Sequence, residues 1–207
     1  MKKLESAKRS IHAWGVLIKI ALTAAFFFWG YLIWNSTAEL NKELNIVSAQ
    51  YSAVHNVQVE FKSEIQEWKN LLLRSNSKET LDKNWRIYDA QYQKVAAAAQ
   101  TITLESDIRE VKKQMGLFAE AHTNNYGQYK NSLELFAKNG FDPHRADAAV
   151  MGIDRPLLDT LEAADEAMQE ESKNINERIT AKTKNQIDQS LLILCMIALL
   201  VIWLPKW

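Results

Sequence analysis

The side chains best suited to ligand chemistry in this chain are four arginines and two tryptophans. Guanidinium groups bind a carboxylate through paired hydrogen bonds, and indole rings can shape the pocket around it. We therefore predict a binding site for a small anionic ligand. Its candidate residues are Trp68, Arg74, Trp85, Arg86, Arg145 and Arg155.

Four aspartates close to these arginines support an alternative interpretation. Asp82, Asp142, Asp147 and Asp154 could neutralise the arginines locally, and the tryptophans could be ordinary core residues. Under this alternative the same residues form no site. The two interpretations differ in whether the arginines remain free for a ligand.

Signatures of catalysis and of metal or cofactor binding are missing from the sequence. The histidines at positions 12, 55, 122 and 144 have neither a partner at four-residue spacing nor a nearby cysteine. No glycine-rich phosphate loop, nucleophile motif or zinc-binding helix motif occurs. We therefore expect no enzyme activity, no metal and no cofactor.

Two apolar segments bracket the polar middle of the chain. Residues 13–34 contain a single charge, Lys19, and are long enough to cross the hydrocarbon core of a bilayer, which predicts transmembrane helix 1. Residues 191–204 are shorter, and we predict that they form transmembrane helix 2. A buried helix or a membrane-surface anchor is the alternative for this second segment.

The charges that flank the first apolar segment indicate its orientation. Lys2, Lys3, Lys8 and Arg9 precede it, whereas the residues just after it carry little charge. The positive-inside rule then predicts that residues 1–12 and 205–207 are cytoplasmic and that residues 35–190 lie outside.

The composition of the chain favours helices for residues 35–190. Three prolines and six glycines among 207 residues are few for a protein rich in strands and turns. The net charge is zero and the basic residues form no stripe, so nothing indicates nucleic-acid binding. The single cysteine, Cys195, excludes an intramolecular disulfide.

A heptad pattern follows the first membrane segment and predicts a long helix with a narrow apolar seam. Similar spacing recurs in the later segments. We predict an all-α fold, an antiparallel up-down four-helix bundle flanked by two transmembrane helices. The seam of the first helix, with Gln58 as its polar exception, is Leu40, Leu44, Val47, Tyr51, Val54, Phe61, Ile65, Trp68 and Leu72.

Capping and turn residues predict where the long helices begin and end. Asn76 as N-cap with Glu79 three residues later predicts the start of the second helix. Gly116 is the predicted second turn, because it lies one helix length back from the first turn. Gly140 is expected to end the third helix in the left-handed conformation.

The segment after Gly140 connects the third helix to the last one. Asp142 and Pro143 predict the N-cap and first residue of a short helix, and residues 152–156 predict the start of the last helix. Counting helix lengths brings residues 68–86 and 139–156 together at the membrane-distal end. All six candidate binding residues fall within these two stretches.

Several stretches resemble a bacterial methyl-accepting chemotaxis receptor family that has a four-helix-bundle sensor. The first two, in the first helix, are residues 58–62 (QVEFK) and 67–74 (EWKNLLLR). The others, in the third helix and the loop after it, are residues 129–133 (YKNSL), 140–143 (GFDP), 146–150 (ADAAV) and 152–156 (GIDRP). Together they extend the resemblance over most of residues 14–204.

The resemblance implies a periplasmic, dimeric sensor domain that binds small solutes or a binding protein. In that family the second membrane helix continues into a relay domain and a methylated coiled coil that docks a kinase. Because the sequence stops at Trp207, we expect this polypeptide to lack its own relay and kinase-control domains. It would then be either a fragment of a longer receptor or a protein that pairs with full-length receptors.

We therefore predict a membrane-anchored, chemoreceptor-like sensory protein of the bacterial inner membrane. Its periplasmic bundle would recognise a small solute or a partner and transmit helix motion across the membrane. The expected partners are a second copy or full-length chemoreceptors, a small anionic ligand and the lipid bilayer, but no nucleic acid. The alternative is a structural two-span membrane protein that scaffolds an envelope complex.

Overall fold

The computed structural model describes residues 2–203, including the side chains of residues 14–197 and of Leu199. The predicted cytoplasmic segment 205–207 and the last residue of predicted transmembrane helix 2 lie outside the described residues. The described residues contain five helices and no strand, which confirms the all-α prediction. The helices are α1 (Lys2–Arg74), α2 (Lys78–Glu105), α3 (Arg109–Lys138), α4 (Pro143–Ala149) and α5 (Arg155–Trp203).

The chain divides into two compact units. The larger unit is Ile46–Lys173, and the smaller unit contains the described residues up to Asn45 and from Asn174 onward. Helices α1 and α5 contribute to both units, whereas α2, α3 and α4 belong to the larger unit alone.

In the larger unit each long helix buries a seam with the three-and-four spacing typical of packed helices. The seam of α3 keeps this spacing throughout, although it includes three polar side chains. Its buried residues are Val111, Met115, Phe118, His122, Asn125, Tyr129, Ser132 and Phe136.

The buried seam of α1 differs from the predicted one. Gln58 and Ile65 were expected in it, but both are only half-buried, whereas Val57 and Glu64 are buried. The observed seam buries valine in place of glutamine, and it buries Glu64 because partners on two other helices bind the carboxylate. The predicted Leu40, Val47 and Leu72 are buried as expected. The members of the observed seam from position 54 to 71 are Val54, Val57, Phe61, Glu64, Trp68 and Leu71.

A cluster that we call the end core joins the end of α1 to α2, α3 and α4. It brings together parts of both predicted stretches, 68–86 and 139–156. Trp85, Phe141 and Ile153 are among the half-buried side chains packed against it. Its buried members are Trp68, Leu71, Leu72, Leu81, Tyr88, Tyr129, Phe136, Ala146 and Val150.

The N-cap of α2 is Ser77, so the prediction of Asn76 was wrong. The Ser77 hydroxyl accepts a hydrogen bond from the Thr80 backbone N–H (3.3 Å), and the Thr80 hydroxyl accepts one from the Ser77 N–H (3.1 Å). The threonine hydroxyl thus takes the role in this capping box that was assigned to the carboxylate of Glu79.

The second turn lies at residues 106–108, and its predicted position at Gly116 was wrong. Ser106 ends α2, and its hydroxyl accepts a hydrogen bond from the Ile108 N–H (3.3 Å). A polar residue that can satisfy backbone groups at the turn decides its position. Gly116 lies inside α3, where a Cβ would meet the Thr103 Cγ2 atom of α2 at 3.7 Å.

The predicted connection between α3 and α5 is confirmed. Gly140 adopts the left-handed conformation (φ 69°), and Phe141 next to it does so as well (φ 63°). The Asp142 carboxylate accepts a hydrogen bond from the His144 N–H (3.0 Å), and Pro143 is the first residue of α4. Gly152 (φ 80°) precedes α5.

The smaller unit contains parts of α1 and α5. Among the described residues, α1 has the one segment whose length and composition suit a membrane span, and that segment is not buried within the protein. Within this unit the Trp29 indole N–H donates to the Ser190 hydroxyl (3.1 Å), and Arg178 pairs with Glu43 (3.5 Å). The crossing of residues 191–204 stays a prediction.

Candidate functional site

A buried carboxylate–imidazole pair links α1 to α3 in the larger unit. Glu64 and His122 are each 2 % exposed, and the His122 Nε2 atom lies 2.8 Å from the Glu64 Oε2 atom. The other carboxylate oxygen of Glu64 accepts a hydrogen bond from the Tyr88 hydroxyl of α2 (3.3 Å). One carboxylate therefore holds three helices together.

Aromatic rings enclose the imidazole of His122. Tyr92 and Phe118 stack on it, with ring centroids 4.6 Å and 5.3 Å away, and Phe61 meets it edge-on at 5.7 Å. These rings exclude water and offer few groups that could stabilise a charge. Within this enclosure the Tyr88 hydroxyl, which donates to Glu64, is the polar neighbour that supports the pair.

The second ring nitrogen of His122, Nδ1, is buried and has no hydrogen-bond partner among the described residues. Leaving a buried polar atom unpaired costs about 1–3 kcal/mol, whereas an unpaired buried charge costs more. The imidazole is therefore held by its contact with Glu64 through Nε2, despite the unsatisfied Nδ1. If the ring is neutral, this contact requires the Nε2–H tautomer, in which Nδ1 carries only a lone pair.

Two further carboxylates accept hydrogen bonds from tyrosine hydroxyls of α3. Tyr129 donates to Asp154 (2.6 Å), and Tyr126 donates to Asp89. Burial raises the pKa of Asp154, although the hydrogen bond from Tyr129 and the charge of Lys69 act in the opposite direction. Burial also raises the pKa of Tyr129, and the negative charge of Asp154 adds to this effect.

The two candidate tryptophans lie in or against the end core. Trp68 is buried, with ring centroids 4.7 Å from Tyr129 and 5.8 Å from Tyr88, and its indole N–H has no partner among the described residues. Trp85 is half-buried and packs against Tyr88 (5.2 Å) and Tyr126 (5.7 Å). Both rings take part in the packing of the larger unit.

The four candidate arginines flank the end core, and all are exposed. Arg145 pairs with Asp142 (3.4 Å), and Arg86 donates to the backbone carbonyl of Asp82 (3.2 Å). Arg74 and Arg155 form no ion pair with any residue whose side chain the structure describes. Local neutralisation thus accounts for Arg145 but not for these two.

The sequence interpretation missed Glu64. It followed a spacing of four and then three residues from Val54, which leads to Gln58 and Ile65. The opposite order leads through Val57 to Glu64 and continues to Leu71. A histidine in the seam of α3 was the available signal, because a buried imidazole needs a polar partner on a facing helix.

Among the described residues, no group of three or more His, Cys, Asp or Glu side chains is placed so that it could hold a metal ion. The described chemistry of the larger unit is that of paired carboxylates, phenols and one imidazole inside, with the guanidinium groups of Arg74 and Arg155 exposed beside the end core.

The chain is similar to a curated protein, the methyl-accepting chemotaxis protein CtpH of Pseudomonas aeruginosa. The two are 26 % identical over 154 residues, which is 74 % of this chain and 27 % of CtpH. This chain therefore spans about a quarter of the length of that relative. No family model matches the chain, and no solved structure matches it. The similarity and the all-helical fold support a chemoreceptor-like protein, and the apolar segment of α1 is in keeping with a membrane protein.

Proposed function

We propose that this chain forms the sensory and membrane-anchored part of a chemoreceptor-like protein of the bacterial inner membrane. Its periplasmic four-helix bundle recognises a small solute or a partner, and two membrane helices transmit the resulting helix motion. The observation that carries the proposal is the similarity to a methyl-accepting chemotaxis protein over 154 residues. Control of a kinase by the complete receptor is part of the same proposal.

The buried seams of the larger unit support the bundle. Stretches of α1, α2, α3 and α5 each bury residues at spacings of three and four, which is the pattern of helices packed side by side. Short connections at residues 75–77 and 106–108 favour antiparallel neighbours. Ligand binding at one end of such a bundle can shift one helix against another by a small slide.

A chimeric receptor tests this function. Residues 1–204 would replace the sensory and membrane segments of a methyl-accepting chemotaxis protein that controls its kinase in membranes. Amino acids and organic acids should include at least one compound that changes the kinase activity of the chimera but not that of the parent receptor. A chimera that inserts and activates the kinase, yet responds to none of these compounds, would count against solute sensing.

The unpaired guanidinium groups of Arg74 and Arg155 support an anionic ligand at the membrane-distal end. Arg74 follows the end-core residues of α1, and Arg155 opens α5 two residues after Ile153, which packs against the same core. Arg86 and Arg145 would need to leave their present partners to join them. The ligand is bound by charge and paired hydrogen bonds, with Trp68 and Trp85 supporting the core beneath it.

Thermal unfolding of the full chain in lipid nanodiscs tests this site. An organic acid that raises the melting temperature should lose its effect in Arg74→Ala and Arg155→Ala. Arg109→Ala is the matched control, because Arg109 is an exposed arginine at the opposite end of α3. Equal ligand shifts in all three variants would exclude these arginines from the site.

An uncharged stripe on the exposed side of α1 supports a homodimer. Its residues follow one another at spacings of three and four, and most are small or polar side chains that allow close approach. Asparagines at positions 56 and 70 recur fourteen residues apart, as register-setting residues of coiled coils do. The stripe is Ala49, Ser52, Asn56, Val59, Ser63, Gln66, Asn70 and Leu73.

One pair of charges beside this stripe, Lys62 and Glu67, suits a second, parallel copy, whereas Lys69 and Arg74 at the same spacing have like charges. Lys62 lies on one side of the stripe and Glu67 on the other, five residues later, which is the spacing that pairs opposite charges across a parallel coiled coil. Two copies anchored by the same N-terminal membrane helix are necessarily parallel. The proposed partner of α1 is therefore α1 of a second copy, and a full-length chemoreceptor is the alternative partner.

A further inference from the structure

The Glu64–His122 pair differs in its surroundings from the exposed ion pairs of this chain. In the pair of Lys113 with Glu110 the two side chains are 61 % and 50 % exposed, so water stabilises each charge. Glu64 and His122 are closed off by aromatic rings and lie in the centre of three packed helices. A change of charge in this pair therefore acts directly on helix packing.

The number of protons on the pair determines its net charge. With a neutral imidazole and an ionised carboxylate, the pair buries one negative charge. After uptake of one proton, whether it resides on the imidazole or is shared with the carboxylate, the pair is neutral overall. A neutral pair is more stable than an unbalanced charge in an interior of low dielectric constant. We propose that Glu64 and His122 form a proton-binding site whose occupancy tightens the packing of α3 against α1.

Other titratable groups face this site from the neighbouring helices. From α2, Tyr88 donates to Glu64, and Tyr92 stacks on the imidazole. From the segment before α5, Asp154 is close enough to be influenced by the charge of His122. Glu64 and His122 form no hydrogen bond or ion pair with a described residue of α5. Tyr129 of α3 also lies within electrostatic reach of Glu64, and the positive charge of Lys69 acts on Asp154.

The unsatisfied Nδ1 atom of His122 limits this gain but does not cancel it. On protonation this nitrogen becomes an N–H donor that has no acceptor among the described residues. Losing one hydrogen bond is a smaller cost than burying an unbalanced charge. The protonated pair therefore remains the better packed state.

The site goes beyond the proposed function, because proton binding and its effect on packing do not require that the chain be a receptor. If the chain is a receptor, the same site makes its sensory domain sensitive to pH. A failed chimera experiment and a failed proton experiment are therefore separate results.

Hydrogen exchange of the full chain in lipid nanodiscs tests the site. Exchange rates, corrected for the intrinsic effect of pH, are compared between about pH 8 and pH 5, where an imidazole ordinarily changes charge. In the wild type, the equilibrium constant for opening of amides near residues 61–68 and 118–125 should fall about tenfold as the pH is lowered. A tenfold change is expected when the closed state binds one proton more than the open state over one pH unit.

The Glu64→Gln variant should reverse the sign of this response. Its pair is neutral when the imidazole is neutral, so proton uptake buries one positive charge and lowering the pH should increase opening. Glu120→Gln, which changes an exposed carboxylate on α3, is the matched control and should behave as the wild type does. A Glu64→Gln variant whose pH response equals that of the wild type would overturn the proposal.

A measurement on the unmodified chain covers the case in which Glu64→Gln does not fold. In nitrogen-15 histidine spectra of the full chain, the buried imidazole should titrate together with the exchange change near residues 118–125. A buried imidazole that keeps one charge state while the packing still changes with pH would also overturn the proposal.

Discussion

At the scale of single residues, the most unusual feature is a carboxylate at a core position of α1. A sequence that buries Glu64 must supply partners for both of its oxygens, and here α2 and α3 supply one each. The two partners restrict how α1 can face the other helices. Ile65, the apolar residue next along the chain, is left only half-buried as a result.

The first prediction is that replacing one member of the pair destabilises the protein more than replacing both. His122→Leu leaves the Glu64 carboxylate buried and unpaired, and we expect a loss of about 3–5 kcal/mol in the free energy of unfolding. In Glu64→Leu/His122→Leu most of this loss should be recovered, because no charge stays buried. Chemical unfolding of the detergent-solubilised chain, followed by circular dichroism, measures both.

The exposed pair of Glu110 and Lys113 provides the control for this comparison. Replacing one of these residues should leave the unfolding curve unchanged, because water stabilises the charge that remains. If the double variant of Glu64 and His122 is no more stable than His122→Leu, packing rather than charge sets the cost.

The second prediction concerns the pH dependence that Asp154 contributes. Burial raises the pKa of Asp154 above its ordinary value of 3.8, so the folded state binds this proton more tightly than the unfolded state does. The resulting stabilisation is fully present below the ordinary pKa and is lost as the pH rises through the raised value. Asp154→Asn should remove this part of the pH dependence and melt at a higher temperature than the wild type at neutral pH.

Melting temperatures of the full chain between about pH 3 and pH 8 measure this effect across the range in which buried carboxyls titrate. The asparagine keeps an oxygen that can accept the Tyr129 hydrogen bond, so the comparison isolates the charge. Asp159 is an exposed aspartate four residues after Arg155, and Asp159→Asn should keep the wild-type dependence of melting temperature on pH. If Asp154→Asn keeps the wild-type dependence of melting temperature on pH, this dependence comes from other groups.

At the scale of helices and turns, the sequence was most informative where one residue determines the backbone. Gly140, Asp142 and Pro143 each act locally, through a left-handed conformation, a cap or a fixed φ angle, and all three were predicted correctly. The turn at residues 106–108 was misplaced because geometry alone was used to choose Gly116. In the sequence the three-and-four spacing of Val95, Ala99 and Ile102 does not continue to Ile108, and this break is the better local signal.

The seam of α1 shows which part of the fold the sequence could not determine. Starting from Val54, a spacing of three and then four residues and a spacing of four and then three residues both give a mainly apolar stripe. The two stripes share Val54, Phe61 and Trp68. The choice between them depends on which stripe finds partners on α2 and α3, and this is tertiary information. The Glu64–His122 pair therefore could not be predicted from the sequence. The candidate arginines could be, because their positions depend only on where the helices end.

The third prediction contrasts two glycines on or next to α3. Gly140 has a φ of 69°, where an alanine is strained, so Gly140→Ala should cost about 1 kcal/mol in the free energy of unfolding. Gly127 lies inside α3 with open space around its Cα, so Gly127→Ala should stabilise the protein by about 0.5–1 kcal/mol. Chemical unfolding of the two variants should shift the midpoint in opposite directions. Shifts of the same sign would mean that helix propensity and left-handed strain do not control these positions.

At the scale of the whole molecule, α1 has an unusual distribution of charge. In the larger unit it buries a carboxylate on its inner side, while its outer side carries an uncharged stripe that faces solvent in a single copy. Solvent-exposed helix faces are ordinarily charged. An uncharged stripe beside the complementary charges of Lys62 and Glu67 is the pattern expected when a second helix covers it, and the last prediction tests this.

The fourth prediction is that two copies associate in parallel through this stripe. In a Cys195→Ser background, Ser63→Cys should form a disulfide between two copies in native membranes, whereas Gln100→Cys, exposed on α2, should not. Lys62→Glu should reduce this cross-linking, because it places like charges opposite Glu67 of the second copy, and adding Glu67→Lys should restore it. Equal cross-linking at positions 63 and 100, or no rescue by the second substitution, would contradict a parallel α1 interface. Cross-linking of position 63 to a longer receptor instead would identify that receptor as the partner covering the stripe.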